Sequence, residues 1–236
     1  RRNMIDSAVN IRGLKRVAVD HAHADTVLVP ANEPSTGKRV AIVGGGPSGL
    51  SAAYYLALMG HHVDLYEEKP HLGGMLRYGI PAYRFPRERL QEDINAILST
   101  GIEVHMNVNV GKDVTIRELH EQFDAVYVAI GAQTNKKAGI TGEENVRDGN
   151  VVSAVEMLRN VGLDHPIDLS GKRVGIVGGG NVAMDCTRTA IRLGASKVMV
   201  TYRRRRNDMT AMPEEVEGAI AEGAELITLN SPLRIE

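Results

Sequence analysis

The chain has 236 residues, 43% of them hydrophobic, and a formal net charge of −1. That length suits about two domains, and near-neutrality supplies no global field for nucleic acid or an anionic membrane surface. One cysteine, no tryptophan and 4% aromatic residues exclude a disulfide framework, an iron–sulfur or dithiol centre built within this stretch, and a base-stacking surface for single strands.

The opening RRNMIDSAVNIRGLKR is polar and charged and carries no secretory signal. A basic helix is expected from residue 1 to about 24, with Ile5, Val9, Ile11, Leu14 and Val17 as its apolar positions. Residues 26–29 read as extended and 30–37 as a linker rich in Pro, Ser and Gly. A strand over 39–43 then breaks into three glycines, and a helix over 48–59 is stopped by Gly60. Residues 40–60 carry no charge and approach membrane-span length. Gly44, Gly45, Gly46, Pro47 and Gly49 divide them, so a buried strand, a tight turn and a buried helix are expected. The chain reads as soluble and cytoplasmic, without membrane insertion. A second strand covers 63–67, and 70–86 is an aperiodic loop.

Residues 86–100 predict a helix with Leu90, Ile94, Ile97 and Leu98 on one face, ended by Gly101. Residues 102–105 form a short strand, with 108–110 a candidate for another. Thr115 and Glu118 fit a capping box. Residues 125–130 read as a buried strand stopping at Gly131, and 135–150 as a polar connection. A helix over 151–161 precedes strand 173–177, helix 182–193 and strand 198–202. A helix over 213–222 starts with Pro, and strand 226–229 closes the sequence. Strands alternating with helices through short connections give a parallel sheet with helices on its faces.

KRVAIVGGG at residues 38–46 returns as KRVGIVGGG at 172–180. In the first copy Gly44-x-Gly46-x-x-Gly49 is the dinucleotide fingerprint: a turn out of the strand, close approach of a pyrophosphate, and close helix packing. The helix N-terminus supplies unpaired N–H groups for phosphates. Glu67, 23 residues beyond Gly44, is placed to accept ribose hydroxyls. The second copy reads Gly178-x-Gly180-x-x-Ala183, with Ala a looser variant of the third glycine. Gly60 and Gly194 each fall 16 residues after the first glycine of their loop, but one extra residue then puts Tyr202 in the place of Glu67, with Arg203–Arg206 after it. Guanidinium groups can pair with a 2′-phosphate that a carboxylate would repel, so NADPH is favoured over NADH at the second site, and one or two of the four arginines are expected to touch it. Two such units point to two dinucleotides and a nicotinamide–flavin couple.

These residues resemble a known family, the small subunit of NADPH-dependent glutamate synthase and its relatives, which include the flavin and NADPH modules of dihydropyrimidine dehydrogenase and of ferredoxin:NADP oxidoreductase. The resemblance is carried by VAIVGGGPSGLSAAYYLALMGHHVDLYEE (40–68), LGGMLRYGIPAYRFP (72–86), YVAIGA (127–132), GGGNVAMDCTRTAIRLGA (178–195), YRRRR (202–206) and MPEEVEGAIAEG (212–223). It implies two Rossmann-like dinucleotide-binding domains: 1–37 as the tail of an N-terminal iron–sulfur domain and linker, 38–144 for FAD, and 145–236 for NAD(P)H, with the chain a fragment of something longer.

By that resemblance Gly44, Gly46, Pro47, Ser48 and Gly49 lie at the FAD pyrophosphate and Glu67 at its ribose. Gly73, Gly74, Met75, Leu76 and Arg77 run along the FAD, a backbone group near Val110 meets the adenine, and Gly131 sits near the entry. Gly178, Gly180, Asn181 and Val182 lie at the NADPH pyrophosphate, and Arg203 and Arg204 at its 2′-phosphate. Asp185 either orients backbone or ribose or is a helix-surface carboxylate.

The implied reaction is hydride transfer from NADPH to FAD. Electrons then leave through 4Fe–4S clusters outside this chain, on an iron–sulfur domain or a large partner subunit. The cofactors carry the bond changes, so no catalytic side chain is named. Cys186 is expected to be a buried small hydrophobe. His61 and His62 are expected at a helix end and not at a metal, and the remaining histidines show no metal-ligand spacing. Two other readings compete: a nucleotide-binding or partner-docking module without activity of its own, and an NADH-specific relative.

Overall fold

The computed structural model describes residues 2–6, 8–22, 29–134, 137–144 and 151–235. At the N-terminus a single 3-10 turn, Arg2–Met4, precedes helix α1, Ile11–His21. The break in the expected long helix falls at Asn10, whose side chain caps α1 by accepting the Gly13 N–H at 2.9 Å. The apolar positions Ile11, Leu14 and Val17 are exposed. The predicted extended segment at 26–29 lies mostly outside the described residues.

The first sheet is parallel, in the order β3-β2-β1-β4: β1 is Arg39–Val43, β2 His62–Glu67, β3 Glu103–Met106 and β4 Ala125–Val128. Helix α2, Pro47–Leu58, makes the first crossover. Helix α4, Arg87–Leu98, makes the next, and α5, Ile116–Gln122, leads back to β4. Alternate side chains of β1 explain both faces. Val40 and Ile42 pack with Leu50, Ala53, Leu65, Leu90 and Ile94 beneath α2 and α4, while Ala41 and Val43 meet Leu119 and Phe123 of the α5 segment. The Thr115–Glu118 capping box forms as expected, with Glu118 Oε2 accepting the Thr115 N–H at 2.7 Å.

Three local expectations change. Residues 70–86 are not wholly irregular: they contain a one-turn helix, α3, Met75–Tyr78. Residues 108–110 form only an isolated bridge, Val110 to Val114. The strand expected to be buried over 125–130 ends at Val128 and lies at the sheet edge, with Val128 54% and Ile130 62% exposed. Its apolar composition is that of a buried strand, but among the described residues it has a neighbour on one side only.

The second sheet is also parallel, in the order β5-β6-β7: β5 is Arg173–Val177, β6 Lys197–Tyr202 and β7 Glu225–Thr228. Helices α6, Ala154–Gly162, α7, Asn181–Arg192, and α8, Pro213–Ala221, pack on it. One apolar cluster joins Met157, Leu158, Cys186, Ala190 and Val198. Another joins Met184, Val200, Ala211, Val216 and Ala219. Cys186 is 2% exposed and burial pushes its thiol up to about 12, which makes it the inert packing residue expected. Among the described residues no helix is long and apolar enough to cross a membrane.

Candidate functional site

Strand β1 leads to β2 on one side, and β4 returns to its other side, so the chain reverses direction of winding between β1 and β4. In open parallel sheets ligands bind outside the carboxyl ends of the strands at such a point. Register aligns those ends: Val43 is paired with Tyr66 on β2 and with Val128 on β4. Beyond them lies a cleft of about 890 Å³.

The first glycine loop forms its floor. Gly44 takes φ +109°, a left-handed conformation suited to glycine, and a Cβ there would meet Ala129 O at 2.4 Å. At Gly49 a Cβ would stand 1.8 Å from Gly44 O, so helix and strand touch backbone to backbone. Gly46 differs. A Cβ on it would approach only Gly74 Cα, at 3.7 Å, so nothing among the described residues requires glycine there. The space it leaves opens into the cleft. Gly46 also caps α2 without a side-chain hydrogen bond, and Pro47 follows at the first helical position. The uncapped N–H groups and the positive end of the helix dipole favour an anion.

Glu67 is 7% exposed at the end of β2. Its Oε2 accepts the Gly45 N–H at 2.7 Å, and its Oε1 accepts the Lys69 N–H at 2.9 Å. Each oxygen keeps a lone pair for a hydroxyl donor.

Gly44, Gly46, Pro47, Ser48 and Glu67 therefore line one cleft. Gly74, Met75, Val110 and Gly131 line it too. Ser48 meets Tyr127 across the cleft edge, hydroxyl to hydroxyl, at 3.0 Å. Gly49 lies beneath the floor. Gly73 donates its N–H to Gly45 O at 2.8 Å. Leu76 packs against the Leu90 and Ile94 core, and Arg77 reaches Gln91 at 3.3 Å, so both turn from the cleft. Lys69, Asn109, Gln133 and Arg159 also line it and were not anticipated. Arg159 arrives from α6, a long-range placement with no local sequence signal.

The second loop repeats the first. Gly178 N–H donates to Thr201 O as Gly44 N–H does to Tyr66 O, at 3.1 and 2.8 Å. Gly178 has φ +141°, and Gly180 caps α7 without a side-chain bond. Asn181 Oδ1 accepts the Met212 N–H at 2.9 Å, so its side chain caps α8, while Val182 is half exposed. A Cβ on Gly179 would lie 2.6 Å from the Tyr202 ring, and the Tyr202 hydroxyl donates to Asp208 O at 2.7 Å. The arginines divide into two pairs. Arg205 is bound to Asp208 at 3.1 Å and Arg206 to Glu217. Arg203 and Arg204 are exposed and their side chains make no hydrogen bond or ion pair among the described residues.

Asp185 is neither a surface carboxylate nor open to a ribose. It is 5% exposed and held by Arg84, from the segment after α3. Burial raises its carboxyl and the Arg84 bonds oppose that. Arg84 Nε also meets Glu215 at 3.2 Å, Glu215 meets Arg188 at 2.8 Å, and Glu222 meets Arg188 at 2.8 Å and Arg192 at 2.6 Å. Tyr83 lies under Arg188 and Arg192, whose Cζ atoms stand 4.7 and 4.0 Å from its ring centroid. Burial pushes its phenol up to about 12.

The histidine reading also changes. Helix α2 ends at Leu58 and the His61 N–H donates to Leu56 O at 3.1 Å, so His61 does sit at the helix end, but its ring does not turn to the helix carbonyls. The His61 ring instead meets the Thr36 hydroxyl at 2.7 Å, and His62 begins β2 beside Asp64 and Glu103.

Residues 38–226 match the family described as pyridine nucleotide-disulphide oxidoreductase. The chain is 42% identical over 238 residues to the NADPH-Fe(3+) oxidoreductase subunit beta of Geobacter sulfurreducens, covering 100% of this chain and 35% of that protein. It is 42% identical to the NADP(+)-dependent formate dehydrogenase subunit beta of Moorella thermoacetica, over 94% of this chain and 34% of that one. The glutamate synthase NADPH small chain of Escherichia coli K12 is 36% identical, over 85% and 44%. The chain thus spans about a third of the length of the first two relatives.

Among solved structures, Mycobacterium tuberculosis FprA in complex with NADPH aligns with TM-score 0.66 at 24% identity, over 81% of this chain and 48% of that one. Lactococcus lactis thioredoxin reductase aligns with TM-score 0.60 at 20% identity, over 84% and 67%. These likenesses show the two-sheet dinucleotide-binding flavoprotein fold. The chain belongs to the pyridine nucleotide-disulphide oxidoreductase family, among the members similar to the glutamate synthase small chain.

Proposed function

We propose that this chain is the nucleotide-handling part of a cytoplasmic NADPH-dependent flavoprotein, with 38–144 holding FAD and 145–236 holding NADPH. The observation that carries the reading is the space at Gly46, which opens into a cleft at the carboxyl ends of β1, β2 and β4 and beside an uncapped helix N-terminus. A Cβ would project into the place a pyrophosphate needs.

Bound together, the two cofactors supply hydride transfer from nicotinamide to flavin. The chain's own residues bind and orient. The α2 N-terminus donates N–H groups to phosphate, and Glu67, fixed by two backbone donors, accepts ribose hydroxyls. In the second unit the α7 N-terminus takes the same role. Arg203 and Arg204, whose exposed side chains make no hydrogen bond or close ion pair among the described residues, pair with the 2′-phosphate and favour NADPH. Gly74, Met75, Val110 and Gly131 border the flavin nucleotide. Electrons would leave through 4Fe–4S clusters on a neighbouring iron–sulfur domain or large subunit; the single cysteine of this sequence cannot hold such a cluster. The named relatives that are β subunits or small chains support a partner of that kind.

Anaerobic addition of NADPH to the FAD-loaded full-length protein tests the reading. Bleaching of the flavin band, faster with NADPH than with NADH, is expected. No bleaching with either nicotinamide overturns it.

A further inference from the structure

We propose that His62, Asp64 and Glu103 form a zinc-type divalent metal site on the β2–β3 edge of the first sheet, separate from the nucleotide cleft. The strands are parallel, with Asp64 paired to Glu103. His62 and Asp64 are two residues apart on β2 and so project from the same face. His62 Nε2 lies 3.2 Å from Asp64 Oδ2 and 3.7 Å from Glu103 Oε2, and the three donor atoms all fall within 4.8 Å of one another. Metal–ligand bonds of about 2.0–2.2 Å in a tetrahedral zinc site put neighbouring donors about 3.3–3.6 Å apart. Small rotations therefore close the set.

The mobile partners are the right ones. Asp64 is 4% exposed at its side chain, whereas His62 is 49% and Glu103 57% exposed. An anchored carboxylate thus faces two side chains free to adjust, and a position remains open to water. His105, two residues from Glu103 on β3, flanks the anchor on the same face, with its Nε2 also 3.9 Å from Glu103 Oε1. Its Nε2 lies 3.0 Å from Asp64 Oδ1, leaving Oδ2 towards His62, and its ring stacks on Tyr66 at 4.5 Å and 17°. Ligating carboxylates are commonly held by such a second bond. Imidazole and carboxylate donors without thiolate suit zinc. One cation competes: Arg39 Nη2 is 3.4 Å from Asp64 Oδ2. It also lies over the Phe123 ring, 4.6 Å from the centroid, and an ion at Oδ2 must displace its contact there. Such a site clips the edge strand β3 to its neighbour.

The test is equilibrium dialysis of the full-length protein against Zn2+, with metal content and thermal midpoint as readouts. The control His120→Ala changes a histidine remote in sequence from these strands. One additional Zn2+ per chain in the parent relative to His62→Ala, a higher midpoint with Zn2+, and no displacement by excess Mg2+ are expected. His62→Ala and Glu103→Gln alter exposed side chains that the fold does not need, and each should lower affinity at least about tenfold, the lower end of what loss of an outer-shell partner alone costs. Equal zinc content in the parent and both variants, a loss in His120→Ala matching theirs, or displacement by Mg2+ overturns the proposal.

Discussion

Arg84 Nη1 stands 2.7 and 2.9 Å from the two carboxylate oxygens of Asp185, joining the segment after α3 to a helix 101 residues away in sequence. The pair is largely out of water, with Arg84 26% and Asp185 7% exposed at the side chain. Removing Arg84 leaves the buried Asp185 carboxylate without its hydrogen-bonded cation, and removing Asp185 leaves Arg84 with Glu215 alone. Arg84→Ala or Asp185→Asn should cost about 2–4 kcal/mol of unfolding free energy in denaturant titration. The double variant should cost less than the sum of the singles, because the orphaned charge is then gone. Additive losses would show that the two residues do not act together.

Gly46 and Gly49 separate binding from folding. Gly46→Ala places a methyl in the cleft with no internal clash, so the thermal midpoint of the flavin-free protein should stay within a degree or two. FAD affinity should fall at least about tenfold, a loss of ~1.4 kcal/mol. Gly49→Ala drives the same methyl into Gly44 O and should destabilise the apoprotein by about 1–3 kcal/mol or prevent folding. Unchanged FAD affinity in Gly46→Ala, measured by fluorescence quenching, would remove the first loop from flavin binding.

The arginines should split by function as they split by partner. Arg203→Ala and Arg204→Ala each remove an exposed guanidinium, and at least one should lower the NADPH-over-NADH ratio of kcat/KM by about 10- to 100-fold, the worth of a charge-assisted hydrogen bond. Arg205→Ala and Arg206→Ala break pairs with Asp208 and Glu217 and should leave the ratio near its parent value. The reverse pattern would assign coenzyme choice to the wrong half of the run.

Acid should loosen the second sheet's helices first. Arg192 and Arg188 hold the Glu222 carboxyl at about 2, well below its ordinary 4.5. A depressed folded value means that Glu222 stabilises the fold fully above pH 4.5 and loses that contribution as pH falls towards 2. The contribution is about 2 kcal/mol once screening at the more exposed Arg192 is allowed for. Glu222→Gln should lower stability at pH 7 and flatten the decline between pH 5 and 3, as followed by circular dichroism.

The two glycine units were legible because everything that defines them is local. Strand, turn, helix and the residue ending the next strand fall within one short stretch, and Gly44, Gly46, Glu67, Gly178 and Gly180 sit where the pattern put them. What could not be read is what distant segments bring together. Asp185 looks like any helical carboxylate until Arg84 arrives beside it. Arg159 lines the cleft only because α6 packs against α3, where a Cβ on Gly162 would stand 2.9 Å from Tyr78 Cα. His62, Asp64 and Glu103 have no ligand spacing along the chain; parallel register creates it. Val128 and Ile130 have the composition of a core strand, and composition does not reveal whether a strand has one neighbour or two.

Tyr202 carries a consequence for anyone redesigning the coenzyme preference. Its ring fills the hollow under Gly179, and its hydroxyl secures Asp208, which in turn restrains Arg205. Exchanging it for an acidic residue would therefore not only alter which ribose is accepted. It would unseat the turn that presents the neighbouring guanidiniums, so selectivity and loop integrity must be retuned together.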